Sequence, residues 1–311
     1  MSRTFLRFAQ TAIALGLIAL LLRGASPEVL WAMRGQIDFA RWGTAALLLL
    51  LMYALGAASL VVLMATGPGV AWLRLAMAYG YVQAIALFTP AQAGEALLPS
   101  LFGRAGVDTG QAAAALVVQR LVTLGITAAA AALFAAAWLP PVALPLLAVA
   151  TLLAMAALIS AVRSRRLRAR LPRLGAFLER VDRAGQRIAR EHKVGLAVHI
   201  AVMIVRYAVA TAASWVMLAS FGIDISFLEV AGLSGVATLA AVLPLSPAGL
   251  GVIEGIWVAA LRPRGYAIEQ ILGASLAGRL ITVVLLGTFA LIYSATRWKD
   301  PRHDDGHDGH A

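Results

Sequence analysis

Ser246-Pro247-Ala248-Gly249-Leu250-Gly251-Val252-Ile253-Glu254-Gly255 stands between an apolar run, Phe227 to Leu245, and a second one, Ile256 to Leu261. Pro247 removes a backbone donor, and Gly249, Gly251 and Gly255 relax the chain, so a helix is expected to break here. Inside a bilayer, water cannot satisfy the freed backbone groups. A break at that depth survives only when it is buried in protein or lines a wet cavity. Glu254 then brings a carboxylate to membrane depth, where ionisable groups are costly and mostly functional. The plain alternative is a polar surface loop between two ordinary spans.

A second version of the stretch lies upstream. Thr89-Pro90-Ala91-Gln92-Ala93-Gly94-Glu95 repeats the Ser/Thr-Pro-Ala start and the later Gly and Glu. Further on, Gln119-Arg120-Leu121-Val122-Thr123 is echoed by Gly278-Arg279-Leu280-Ile281-Thr282. Glu95 precedes Arg120 by 25 residues, and Glu254 precedes Arg279 by the same 25. Apolar stretches resemble one another by composition, but Pro, Glu, Arg and Thr in one order point to an internal duplication, a symmetry many transporter folds carry. Repeat 1 is expected over about 44–138 and repeat 2 over about 195–296, in one integral membrane domain spanning 1–311.

Composition sets the class. Of the 311 residues, 61% are hydrophobic and 13% charged, which is the balance of a polytopic membrane protein. Cys is absent, so thiol chemistry, disulfides and Cys metal sites are excluded. The formal net charge of +11 does not imply nucleic acid as a partner, because most of it sits in one loop, where positive-inside topology accounts for it. About six full spans are expected: Phe8 to Leu22, Thr44 to Ala65, Gln111 to Trp138, Val142 to Val162, Gly195 to Phe221 and Glu269 to Thr296. Phe8 to Leu22 reads as a retained span rather than a signal peptide, since no clean A-x-A site follows it. Residues 75–103 and 227–262 are expected as two re-entrant, broken-helix hairpins, because Leu75 to Phe88 is too short to span. Between the repeats, 163–193 holds ten Arg and one Lys with apolar residues at helical spacing. It reads as a basic amphipathic helix drawn to anionic lipid at the cytoplasmic surface, or as a topogenic loop. The tail 298–311, with His303, His307 and His310, reads as a disordered polar terminus rather than a metal site. No cofactor and no metal are implied.

Charge parity supports this parse. With Arg3 and Arg7 inside, a full crossing at 75–103 would place the basic loop 163–193 outside, against the positive-inside rule. If both hairpins are re-entrant, the loop and Arg297, Lys299 and Arg302 fall inside with the N-terminus. The hairpins then enter from opposite faces and the repeats are inverted.

Glu95, Arg104, Arg120, Arg206, Glu254 and Arg279 are the charges at membrane depth. One Arg at a helix centre costs ~2.5–3.5 kcal/mol on insertion scales, so four without a role would be a heavy load. Arg120 and Arg279 can pair with Glu95 and Glu254 and simply hold the hairpins. They can also form an anion site with the N–H groups of the breaks, for which a lipid phosphate is the available ligand. His199, alone in an apolar span, reads as a packed residue rather than a proton relay. Candidate substrate-binding residues are Glu95, Arg104, Arg120, Arg206, Ser246, Gly249, Gly251, Glu254 and Arg279, with helix breaks at Pro90, Gly94, Pro247 and Gly255.

Pro247 to Gly255, followed by the Arg279 helix, resembles the transmembrane-region family of lysylphosphatidylglycerol synthases, also called flippase-like. Its second motif reads like S-P-G-G-L-G-V-R-E-G, and Ser246, Pro247, Gly249, Leu250, Gly251, Val252, Glu254 and Gly255 match it. Its first reads like P-G-R-x-G-E before a helix with E-R, and Pro90, Gly94, Glu95 and Arg120 match that. The resemblance runs from about 44 to 296. Ile253 stands where the family has Arg, Gln119 where it has Glu, and Ala91-Gln92-Ala93 where it tends to Gly-Arg. These departures leave a changed headgroup or a weakened site open. The aminoacyl-transferase domain of the full-length synthases has no room here. The resemblance therefore implies the lipid-translocating half: a lipid flippase or lipid-transport protein of the bacterial inner membrane. Its cargo is expected to be a phosphate-bearing lipid, amine-bearing and isoprenoid forms included, and charge parity puts both termini in the cytoplasm. The alternatives are a membrane-embedded lipid-modifying enzyme or its subunit, and a small-solute secondary transporter. No Ser/His/Asp, HExxH or P-loop constellation supports an enzyme.

Overall fold

The computed structural model describes residues 38–64, 72–87, 89, 93–134, 172–241 and 251–297, with isolated positions at 149, 153, 156 and 160. Every regular element among them is helical. In chain order they are α1 (Phe39–Met64), α2 (Trp72–Ala86), a 3-10 segment (Ala93–Leu97), α3 (Leu98–Arg104), α4 (Thr109–Phe134), α5 (Pro172–Glu191), α6 (Lys193–Ser220), α7 (Phe227–Ala241), α8 (Val252–Leu261) and α9 (Ile268–Arg297). The expected spans at Phe8 to Leu22 and Val142 to Val162 lie outside the described residues, as does the tail.

Among the described residues, four helices are long and apolar enough to cross a membrane: α1, α4, α6 and α9, with crossing segments of 25 to 28 residues. At 1.5 Å per residue these exceed the ~30 Å hydrocarbon core. Each matches an expected span. Side chains fix where helices begin. Asp38 Oδ1 accepts from the Ala40 and Arg41 amides ahead of α1, and Asp108 Oδ1 accepts from the Gln111 amide ahead of α4. At α7, Glu229 Oε2 accepts from the Ser226 amide while Ser226 Oγ accepts from the Glu229 amide, a reciprocal capping box.

The short helices form two hairpins, as the Pro/Gly breaks predict. α2 and α7 have 15 residues each, about 22 Å, too short to span. α7 packs on α8, and α2 on the 3-10 segment and α3. The open end of the second hairpin is tied shut. Arg264 Nη1 meets Glu229 Oε1 at 2.8 Å, and the Tyr266 hydroxyl donates to the Asp224 carbonyl at 2.7 Å. The chain therefore returns to the level at which it entered.

The hairpins exchange partners. α2, from the first, packs along α9; α7, from the second, packs along α4; α1 and α6 pack on each other. If α1 to α4 correspond to α6 to α9, this is a reciprocal arrangement about a pseudo-two-fold. It joins one core around α1 to α4 to another around the end of α6, α7, α8 and α9. Outward-facing Leu47, Leu51, Ile204, Val284 and Leu291 suit contact with acyl chains.

α5 is amphipathic, as its spacing predicts. Its apolar stripe, Val181 and Ile188 with Phe177 and Ala184, is covered by the protein core rather than left for lipid. Arg180, Arg183, Arg187 and Arg190 remain exposed. Among its described residues, α5 therefore offers an anionic leaflet this row of guanidinium groups rather than an apolar face.

Candidate functional site

Both Glu–Arg pairs anticipated from the equal spacing form. In repeat 2, Arg279 Nε meets Glu254 Oε1 at 2.6 Å, and the Ser275 hydroxyl donates to the same oxygen at 3.1 Å. The other oxygen accepts the Gly251 amide at 2.8 Å. In repeat 1, Arg120 Nη2 pairs with Glu95 Oε2, and Gln83 Nε2 donates to Glu95 Oε1 at 2.9 Å. Glu95 and Glu254 are each 8% exposed. Buried carboxylates need such complete partnering, because desolvation otherwise outweighs the attraction.

The breaks themselves differ from expectation in two respects. Gly251, at φ 81°, is the N-cap of α8, a backbone conformation other residues adopt only under strain. Its amide is taken by Glu254. In the first hairpin the Gly94 amide is taken by the Thr89 hydroxyl at 2.8 Å. A Cβ on Gly94 would lie 2.9 Å from the Ala86 backbone nitrogen, so glycine is what lets the chain fold back tightly. These two N–H groups are therefore used internally and do not offer the anion site expected of them. Gly255 is no helix break either. It lies in the first turn of α8, and its amide bonds the Gly251 carbonyl at 2.9 Å. α8 begins directly after Gly251. Pro90, Ser246, Pro247 and Gly249 lie outside the described residues.

A cavity of about 370 Å³ lies between the hairpins, within the range of small-ligand pockets. The first repeat contributes Tyr53, Tyr79, Gln83, Glu95, Gln119 and Arg120. α6 contributes Arg206, Tyr207, Thr211 and Ser214, and the second hairpin contributes Ser234, Thr238, Ile253 and Trp257. Arg206 is held between α1 and α2. A Cβ on Gly56 would stand 2.5 Å from the Tyr79 hydroxyl and 3.1 Å from Arg206 Nε, so both side chains use the space this glycine leaves. Arg206 Nε is buried and has no hydrogen-bond partner among the described residues. Such an atom costs stability unless something else pairs with it.

The candidate residues thus divide. Glu95, Arg120 and Arg206 are brought together at one cavity. Glu254, Arg279 and Gly251 form a separate cluster that does not line it. Arg104 is apart from both, exposed in the last turn of α3, where a cation complements the helix carbonyls. His199 is fully buried with Nδ1 3.0 Å from the Ser59 carbonyl, a packed residue joining α6 to α1. Tyr53, Tyr79, Gln83 and Ser275 were not singled out by the sequence. Gln83 lies 12 residues from Glu95 on the opposite arm of a hairpin, and Tyr53 and Tyr79 are aromatic residues in apolar runs, so only tertiary packing reveals them. At the mouth of the second hairpin, burial pushes the Glu229 carboxyl up, but bonds from Arg264 and Ser226 outweigh it and hold it below its ordinary value. No group of three metal-ligating side chains occurs among the described residues.

No curated protein matches the chain significantly. A family model does: the one described as lysylphosphatidylglycerol synthase TM region matches residues 7–290, taking in α1 to α8 and the first 23 of the 30 residues of α9. With its multi-pass helices, paired Glu–Arg motifs and central cavity, the chain belongs to this family of membrane proteins concerned with membrane lipid.

Proposed function

We propose that this protein moves a phosphate-bearing lipid between the leaflets of the bacterial inner membrane, acting as a carrier rather than an enzyme. The observation that carries the proposal is the placement of Arg120 and Arg206 on one cavity, with Arg206 Nε left without a protein partner among the described residues. A guanidinium suits phosphate because its planar fork donates two parallel bonds. Glu95 holds Arg120 while the cavity is empty, and an incoming phosphate competes for it. Paired and empty, or opened and loaded, are then two states a ligand can bias through its differential affinity. The reciprocal hairpin packing gives those states a mechanical form, because rocking α2 against α9 and α7 against α4 exchanges access between faces. Energy comes from a lipid or ion gradient or the membrane potential. Charge parity supports a cytoplasmic location for both termini, which would bring the exposed arginines of α5 to the anionic inner leaflet.

Lipid binding to the purified protein, scored by native mass spectrometry and thermal shift, tests this. Phospholipid stabilises the wild type, and Arg120→Ala with Arg206→Ala abolishes the response. A neutral diacylglycerol that stabilises equally well contradicts a phosphate site. Lipid analysis of a deletion strain separates carrier from enzyme: a missing lipid species means an enzyme, and unchanged species with altered leaflet distribution mean a carrier.

A further inference from the structure

The cavity carries more unsatisfied polar chemistry than a phosphate needs. Three residues that line it each carry an atom that is buried without a hydrogen-bond partner among the described residues: Arg206 Nε, Thr211 Oγ1 and Ser234 Oγ. The two hydroxyls depart from their neighbours. Thr123, Thr127, Ser214 and Thr238 line the same cavity, and each donates to the carbonyl four residues back in its own helix, the ordinary behaviour of Ser and Thr in apolar helices. Thr211, only 1% exposed, and Ser234 make no such bond. Their donors are left without a protein partner beside the cavity, while the four back-bonded hydroxyls keep spare acceptor lone pairs.

Position separates this hydroxyl group from the charged one. On α6, Thr211 is five residues from Arg206, about 7.5 Å along the axis. Ser234 and Thr238 come from the second hairpin, whereas Glu95 and Gln83 come from the first. Among the described residues, the charges lining the cavity are two guanidinium groups and one carboxylate, and that carboxylate is committed to Arg120 and Gln83. An ammonium group would meet net positive charge with no free carboxylate to receive it.

We infer that the cavity holds a second subsite, built on Thr211 and Ser234, that reads the hydroxyl groups of an uncharged polyol or sugar carried on the phosphate. The inference rests on the phosphate-lipid reading and narrows it. A hydroxyl-rich group donates and accepts at once, which matches a wall of free donors and free lone pairs. An amine-bearing headgroup is disfavoured, against the expectation from sequence that left it open.

The probes are phosphatidylinositol, phosphatidylethanolamine, phosphatidic acid and diacylglycerol of one acyl composition, with soluble inositol phosphate as a further arm. Two hydrogen bonds of ordinary strength amount to roughly a tenfold preference for phosphatidylinositol over phosphatidic acid in the wild type. Thr211→Val with Ser234→Ala, which keep shape and fold, should erase that preference and leave phosphatidic acid binding intact. Equal binding of phosphatidylinositol and phosphatidic acid, or preference for phosphatidylethanolamine, overturns the subsite while the phosphate reading stands. If diacylglycerol matches phosphatidic acid, the phosphate reading fails and this inference fails with it. Soluble inositol phosphate that binds as tightly as the lipid, with the same loss in the double variant, supports the subsite and assigns it to a soluble ester.

Discussion

At the scale of residues, two Glu–Arg pairs of equal spacing have unequal surroundings. The Arg279 side chain is 17% exposed and Arg120 33%, nearly twice as open. Glu254 also caps α8 and receives Ser275, while Glu95 faces the cavity. Glu254→Gln and Arg279→Ala are expected to act mainly on stability. Breaking a buried pair costs about 3–5 kcal/mol and the cap about 1 more. Glu95→Gln and Arg120→Ala should keep more of the melting temperature yet lose lipid response. Thermal unfolding in detergent beside lipid binding checks this, and the reverse ordering would contradict it. Gly56→Ala is a sharper probe, because it replaces no charged residue. The added methyl would stand 2.5 Å from the Tyr79 hydroxyl, so Tyr79 and Arg206 must shift, and phospholipid affinity should fall by about tenfold, near 1.4 kcal/mol. The pairs were legible because identical spacing recurs with identical residue types. The cavity partners of Arg206 were not, because they come from α1, α2 and α4 and no local pattern links them.

At the scale of elements, the hairpins are the point on which topology turns. Their arms were legible from length and from the Pro/Gly breaks. The site of the second break was only partly so, because Gly255 and Gly251 look alike in sequence and only capping by Glu254 distinguishes them. A re-entrant first hairpin places the start of α2 and the end of α3 on one face. The chain has no Cys, so Arg74→Cys and Arg104→Cys can each be labelled in an otherwise unreactive protein. Both should react with an impermeant maleimide from the cytoplasmic side, and reaction from opposite sides would make the segment a full crossing. The second hairpin is clasped by Glu229 and Arg264, and its carboxyl lies below its ordinary value. A depressed carboxylate contributes stability that is complete above its unfolded pKa, about 4.3, and is lost as pH falls through the lower folded value. The clasp is partly exposed, so the effect is small, about 1 kcal/mol or less. Hydrogen exchange at the Arg262–Arg264 turn should therefore rise below pH 4, and Glu229→Gln should raise it at neutral pH. Exchange that is indifferent to both would show that the clasp does not hold the hairpin.

At the scale of the whole molecule, membrane class and the described spans followed from composition and from the lengths of the apolar runs. What the sequence could not show is the exchange of hairpins between repeats, which sets the cavity on their boundary and leaves Arg279 outside it. A shared cavity between two reciprocally packed halves is what alternating access requires. Leaflet exchange in vesicles decides whether the protein uses it so. Purified protein is reconstituted into liposomes carrying a fluorescent phospholipid, and the outer-leaflet probe is quenched by an impermeant reductant. The wild type should carry the quenched fraction from about half towards completion, while Arg206→Ala, folded and equally incorporated, should leave it near half. Exchange by Arg206→Ala at the wild-type rate, or none by the wild type above protein-free vesicles, would contradict lipid passage through this cavity.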